Sequence, residues 1–153
     1  MRDADALSLT WLGVAGFLLT YRGSTLAVDP FFTRPRLRYV LQGRPRAEET
    51  MAQVIVPSCA AILVSHAHYD HCMDVPALAR RTGASVLGSG NTRALLAHLG
   101  VSPGQLFPAE PGGRHDIPPF TITVWPGDHP WVPGYTASPI GRPVSLPARL
   151  RDY

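Results

Sequence analysis

The sequence predicts an α/β fold, on two observations. Over residues 7–28 short β-prone runs follow one another with Gly turns between them. From about residue 60 to 100 a buried-type strand, a capped helix, a further strand and a second helix alternate, which is the α/β pattern. The length of 153 residues suits one ordinary domain with a core of its own and is too short for two. At 45% hydrophobic and 16% charged residues the chain is expected to fold.

Residues 7–12 are rich in β formers, 13–16 break the run, and 17–21 are again apolar and aromatic. Arg22-Gly23 then turns the chain into 25–28. Asp29-Pro30 stops this third strand, because proline lacks a ladder donor and disfavours helical backbone before it. Asp29 is therefore expected at a strand end, in extended conformation. Residues 33–53 are rich in Arg, Gln and Glu with Pro35 and Pro45 as breakers, an excursion with one short helix. Residues 60–65 form an almost continuous apolar run after Pro57-Ser58, the pattern of a buried strand. Asp74 can cap a helix running through Ala77, Leu78 and Arg81 to Gly83. Residues 85–87 supply another strand, and Asn91 or Thr92 caps a second helix ending at Gly100. Residues 120–125 alternate as a later strand, broken at Pro126-Gly127. Residues 130–153 read as an irregular Pro- and Gly-rich tail of the same domain.

The two cysteines, Cys59 and Cys72, are not spaced as a metal ribbon or a disulfide framework and read as reduced, buried thiols. The apolar runs fall short of the ~20 residues of a membrane span, and residues 1–7 lack the pattern of a secretory leader. The expectation is a cytoplasmic protein with no membrane span. A net charge of +3 with basic residues dispersed among apolar ones gives no nucleic-acid footprint. The exception is Arg34, Arg36, Arg38, Arg44 and Arg46 in one segment, read as a solvated loop in preference to an anion-binding lid. As a lid it would meet an anionic or lipid-like substrate.

The chemistry concentrates at Ser65-His66-Ala67-His68-Tyr69-Asp70-His71. Zinc and similar borderline ions take imidazole nitrogens and carboxylate oxygens at about 2 Å. In a segment leaving a strand, positions i and i+2 point the same way, so His66 and His68 can converge on one ion. Asp70 and His71 then turn toward a neighbouring position. Three of the six histidines fall here, interleaved with an Asp. His98, in an apparent helix, and His115, in a Pro- and Gly-rich stretch, read as ordinary histidines. His129, just past the Pro126-Gly127 break, is the natural third partner of the first ion.

The run His66-Ala-His68-Tyr-Asp70-His71, an HxHxDH motif, resembles the metallo-β-lactamase fold superfamily. Thr10-Trp-Leu-Gly-Val-Ala-Gly-Phe-Leu-Leu and Leu26-Ala-Val-Asp-Pro-Phe-Phe resemble the opening strands of its branch of ascorbate-6-phosphate lactonase-like and N-acyl phosphatidylethanolamine phospholipase D-like hydrolases. The similarity runs over about residues 7–130. It implies a metallo-β-lactamase-like αββα sandwich, of which this chain has the length of the N-terminal half.

It further implies His66, His68 and His129 on one zinc and Asp70 and His71 on a second, with Asp29 orienting a ligand. Mn2+ or Fe would also suit these donors. The implied activity is zinc-dependent hydrolysis of an ester, lactone or phosphodiester, with hydroxide at the metal as nucleophile and Asp70 able to accept a proton. Relatives often carry His where Val14 stands. The later family motifs, a bridging Asp in a Gly-Asp-Thr-like turn and a final His, have no counterpart before Tyr153. The alternative is thus a metal-binding but inactive half-domain, or one subunit of a split enzyme. A half sandwich leaves a sheet face to be covered by the tail, a second copy or a complementing chain.

Overall fold

The computed structural model describes residues 5–42 and 47–127. Three short strands open it: β1 Ser8–Gly13, β2 Gly16–Tyr21 and β3 Ser24–Val28. They pair antiparallel, β1 with β2 and β2 with β3. β4 Ala61–Val64, β5 Ser85–Gly88 and β6 Leu106–Pro108 continue the same sheet in parallel, giving six strands in the order β1-β2-β3-β4-β5-β6. The parallel part follows from the crossovers, since each strand is returned by helical chain over one face. The expected α/β class is therefore what the chain adopts.

Between β3 and β4 lie two helices, α1 Leu37–Leu41 and α2 Glu49–Ile55, where the sequence suggested one. α3 Tyr69–Cys72 and α4 Val75–Thr82 follow β4, and α5 Gly90–His98 follows β5. Gly83 ends α4 in the left-handed conformation, φ 70°, as its position past the last apolar residue predicted. Two cap assignments change. Asp74 stands at the N-cap of α4 but makes no cap bond; its carboxylate is turned to another segment. α5 is capped by Ser89, whose hydroxyl accepts from Thr92 N, because the helix starts earlier than Asn91.

Side-chain alternation gives the sheet two apolar faces. On one, Leu18, Ala27, Ile62, Val64 and Val86 pack with Ala52 of α2 and Val56 just past it, Leu78 of α4 and Leu95 and Leu96 of α5. On the other, Leu26, Ala61 and Leu87 meet Ile117, Phe120 and Ile122. Those last residues belong to a separate hairpin, β7 Arg114–Ile117 and β8 Phe120–Thr123. The strand expected over 120–125 is thus shorter and outside the main sheet. It supplies part of the cover that the sequence left to the tail or a partner. Toward β1 on the same face, Leu9 and Trp11 are exposed.

No helix among the described residues is long and apolar enough to cross a membrane. Cys59 and Cys72 are buried and free, as expected.

Candidate metal centre

The motif begins where β4 ends. β3 and β4 run parallel with Val28 opposite Leu63, and the pairing extends one step as Asp29 N donates to Leu63 O at 2.9 Å. Asp29 and Ser65 therefore leave adjacent strand ends side by side, the usual place for sites in parallel sheets. Asp29 is not extended, as its proline neighbour predicted, but left-handed at φ 41°. Asp tolerates this region better than most residues, and such backbone persists only where side-chain contacts hold it. Here they do: Asp29 Oδ1 accepts from Ser65 N at 2.7 Å, and Oδ2 accepts from Ser65 Oγ at 2.7 Å and His71 Nδ1 at 3.0 Å.

This network fixes two imidazole tautomers. The Ser65 hydroxyl spends its proton on the Asp29 carboxylate, so toward His66 Nδ1, at 2.9 Å, it accepts. His66 then carries its proton on Nδ1 and keeps a lone pair on Nε2. By the same logic His71 donates from Nδ1 to Asp29 and keeps its lone pair on Nε2. Holding one ring nitrogen so that the other presents its lone pair is how imidazoles are prepared for a metal.

The prepared nitrogens point at neighbours of the right kind. His66 Nε2 faces His68 Nδ1 at 2.9 Å, with ring centroids 4.4 Å apart. Two nitrogens on one tetrahedral ion would be roughly 3.3 Å apart. His71 Nε2 lies 3.8 Å from Asp70 Oδ2, and the His66 and His71 rings are 3.9 Å apart. The structure thus brings His66, His68, Asp70 and His71 together as two adjacent donor pairs. Among the described residues no three His, Cys, Asp or Glu side chains surround one metal-sized centre. His129, expected as the third donor, lies outside the described residues, as do Asp128, the tail at 130–153, Arg44 and Arg46.

Asp70 and His71 lie on one helical turn, α3, whose N-cap is His68. The turn is held by His71 N and Cys72 N, both donating to His68 O. Cys72, fully buried, donates its thiol to Ala67 O at 3.3 Å. Burial, with Asp29, Asp70 and Asp74 nearby, pushes that thiol well above its ordinary range, which makes it an inert packing group. For His71, burial pulls the imidazole down, while the Asp29 hydrogen bond and the Asp29 and Asp70 charges push it up; the upward causes win.

Two supporting residues escaped the sequence reading. Ser65 was seen only as the residue before the cluster, yet its hydroxyl links Asp29 to His66. Asp74, read as a cap, is completely buried, and its Oδ2 accepts from Phe32 N and Thr33 N at 2.8 Å each. It ties the chain after β3 to the end of the motif. Hydroxyl and carboxylate at i−1 and i+3 of a histidine motif were the available signals. His98 is exposed on α5 and His115 half-buried in β7.

A family model described as a β-lactamase superfamily domain matches residues 25–144. A UPF0173 metal-dependent hydrolase of Carboxydothermus hydrogenoformans is 32% identical over 123 residues, covering 80% of this chain and 48% of that protein. Another from Methylobacterium nodulans is 30% identical over 143 residues, covering 92% and 55%. The chain spans about half the length of these relatives. Among solved structures, Igni18, a metallo hydrolase from Ignicoccus hospitalis, is similar with a TM-score of 0.62 at 24% identity, over 90% of this chain and 53% of that one. CmlA, a diiron β-hydroxylase from Streptomyces venezuelae, has a TM-score of 0.53 at 18% identity, over 80% and 24%. At these identities the two structures speak to the fold, which they share with this chain.

Proposed function

The chain belongs to the β-lactamase superfamily domain family, and on that premise we propose that it is a metal-dependent hydrolase that uses zinc to cleave an ester, lactone or phosphodiester. The observation that carries this reading is the Asp29–Ser65 network, which leaves Nε2 of both His66 and His71 as lone-pair donors. Such a network has little use around solvated histidines and a direct one around ligands. Borderline donors of this kind suit zinc, and the carboxylate of Asp70 also accommodates manganese or iron.

In this reading His66 and His68 hold one ion with His129, and Asp70 and His71 hold a second. Bound there, the metal supplies Lewis acidity and water acidic enough to ionise near neutrality. The protein does the rest with fixed groups. Asp29 and Ser65 keep two rings from rotating, α3 sets Asp70 beside His71, and Asp70 accepts the proton released in the attack. Asp74 keeps the chain after β3 against the motif. The substrate is a small molecule.

The test is turnover of p-nitrophenyl acetate and bis(p-nitrophenyl) phosphate by the metal-loaded chain. Chelation should abolish it and zinc restore it, and His68→Ala should lose both metal and turnover. Turnover that persists without metal, or His68→Ala with normal metal content, contradicts the reading. Because the chain spans about half of its relatives' length, a second reading is metal binding without turnover. The chain would then be an inactive half-domain or one subunit completed by a second copy or a complementing chain. Bound zinc with no turnover by the monomer is its signature.

A further inference from the structure

The six-stranded sheet ends in two unlike edges. β6 is three residues long and contains Pro108, with Glu110 just beyond it, a short edge blunted as edges usually are. β1 is six residues long, and no charged residue and no proline occurs from Ala6 to Tyr21. The charges that flank this stretch, Asp5 and Arg22, neutralise each other at 2.8 Å. Among the described residues no strand lies on the outer side of β1, where Leu9 is 61% and Trp11 67% exposed.

The backbone phase of that edge follows from the neighbouring hairpin. Arg22 and Gly23 both have positive φ, 48° and 76°, so β2 and β3 are joined by a two-residue type I′ turn. Its flanking pair, Tyr21 and Ser24, exchanges hydrogen bonds. Along an antiparallel strand such bonds alternate from side to side. Phe17, Leu19 and Tyr21 therefore serve β3, and Leu18 and Thr20 serve β1, where their partners are Thr10 and Ser8. The N–H and C=O groups of Leu9 and Trp11 are left pointing outward from the sheet. Their side chains stand on the face of Leu19, which is also the face of Leu26, Ala61 and Leu87.

We propose that this edge pairs with β1 of a second copy of the chain, antiparallel, about a two-fold axis at Thr10. In that register Leu9 exchanges both backbone bonds with the partner's Trp11, and Trp11 with the partner's Leu9, so every outward group of the two residues is used. Thr10 meets the partner's Thr10 as a non-hydrogen-bonded pair, where side chains lie closest. The axis is perpendicular to the sheet and keeps each face on its own side, so Leu9 packs against the partner's Trp11. The strand is thus its own complement, as an isologous contact requires. An uncharged edge neither repels a copy of itself nor selects a foreign strand by charge. One short ladder and two side chains from each copy fall below the ~800 Å2 per partner of a standard interface, so the dimer dissociates on dilution. β1 runs parallel to β3, since both are antiparallel to β2. The two candidate centres therefore lie toward opposite ends of the joined sheet, and neither copy completes the other's.

Sedimentation velocity of the full chain from about 1 μM to about 1 mM should show a monomer passing to a dimer and no larger species. Leu9→Lys, which sets a charge into the seam, and Leu9→Pro, which removes an outward N–H and no bond within the sheet, should each weaken dimerisation about tenfold or more. Trp125→Gln, at an exposed aromatic residue away from β1, should leave it unchanged. Oxidation with diamide reads the register. Thr10→Cys should form a covalent dimer, because α-carbons paired ~4.5 Å apart suit a disulfide. Ser8→Cys, which meets the partner's Leu12 instead, should not; the native Cys59 and Cys72 are buried. A monomer at every concentration, association that survives Leu9→Lys, equal weakening by Trp125→Gln, or cross-linking of Ser8→Cys as readily as Thr10→Cys overturns the proposal. Zinc uptake per chain should be equal in the parent and Leu9→Lys, and uptake lost with the dimer would overturn the placement of the centres. A monomer that still takes up zinc sinks the pairing and spares the hydrolase.

Discussion

Asp29 is the residue on which the candidate centre turns, since one carboxylate holds a strand end, a hydroxyl and an imidazole. Asn in its place would present an amide N–H or lose an acceptor toward His71, and the ring would no longer be held with Nε2 free. Asp29→Asn should weaken zinc binding by about 10–100-fold, measured by competition with a chromophoric chelator, with little change in circular dichroism. Asp74 makes a different demand. Removing it strands two buried N–H groups at ~1–3 kcal/mol each, so Asp74→Ala should lower the urea midpoint sharply. Asp74→Asn keeps an acceptor for Phe32 N and Thr33 N and should lose less.

The pH behaviour of the metal-free protein follows from His71, whose imidazole is raised in the folded state despite its burial. A raised folded value means the protonated ring stabilises the fold. That contribution is complete below the ordinary imidazole range and fades as pH rises through the elevated value. Chelator-treated protein should thus lose stability across that window in urea titrations, and His71→Gln should flatten the loss. Zinc competes with the proton for the same Nε2, so its affinity should fall as pH drops.

At the scale of elements, the strands and helices that bracket the motif were legible because periodicity and punctuation agreed. β4 and α4 are a buried apolar run and a segment ended by Gly83, and both formed where the pattern put them. What was not legible depended on distant partners. Asp74 has every local qualification of a cap, yet two backbone N–H groups some forty residues earlier outbid its own helix. Asp29 precedes a proline that favours extended chain, and three side-chain bonds overrode that preference. The hairpin of β7 and β8 was half visible: its second strand alternates clearly, but nothing in a single strand says which sheet it joins. Ile62 tests the packing that sets β4 in place. It is fully buried between the sheet and its helices, and Ile62→Ala should cost about 2–5 kcal/mol in equilibrium unfolding.

Across the whole molecule, helices cover one face of the six-stranded sheet and the β7–β8 hairpin covers part of the other. The carboxyl ends of β3 and β4 meet at the candidate centre. The family was readable from six consecutive residues because that spacing serves a geometric need: two rings off a strand, then a carboxylate and a ring off one helical turn. The groups that support them were not readable, since Ser65 and Asp74 act through contacts that only the fold creates. The central claim is that these side chains form a metal site. Zinc titrated calorimetrically into chelator-stripped protein tests it most directly, beside His66→Ala and Asp70→Ala. Saturable uptake by the parent chain, lost in His66→Ala and reduced in Asp70→Ala well beyond the ~10–100-fold expected for Asp29, is the predicted result. Uptake of the same strength in all three proteins would contradict it.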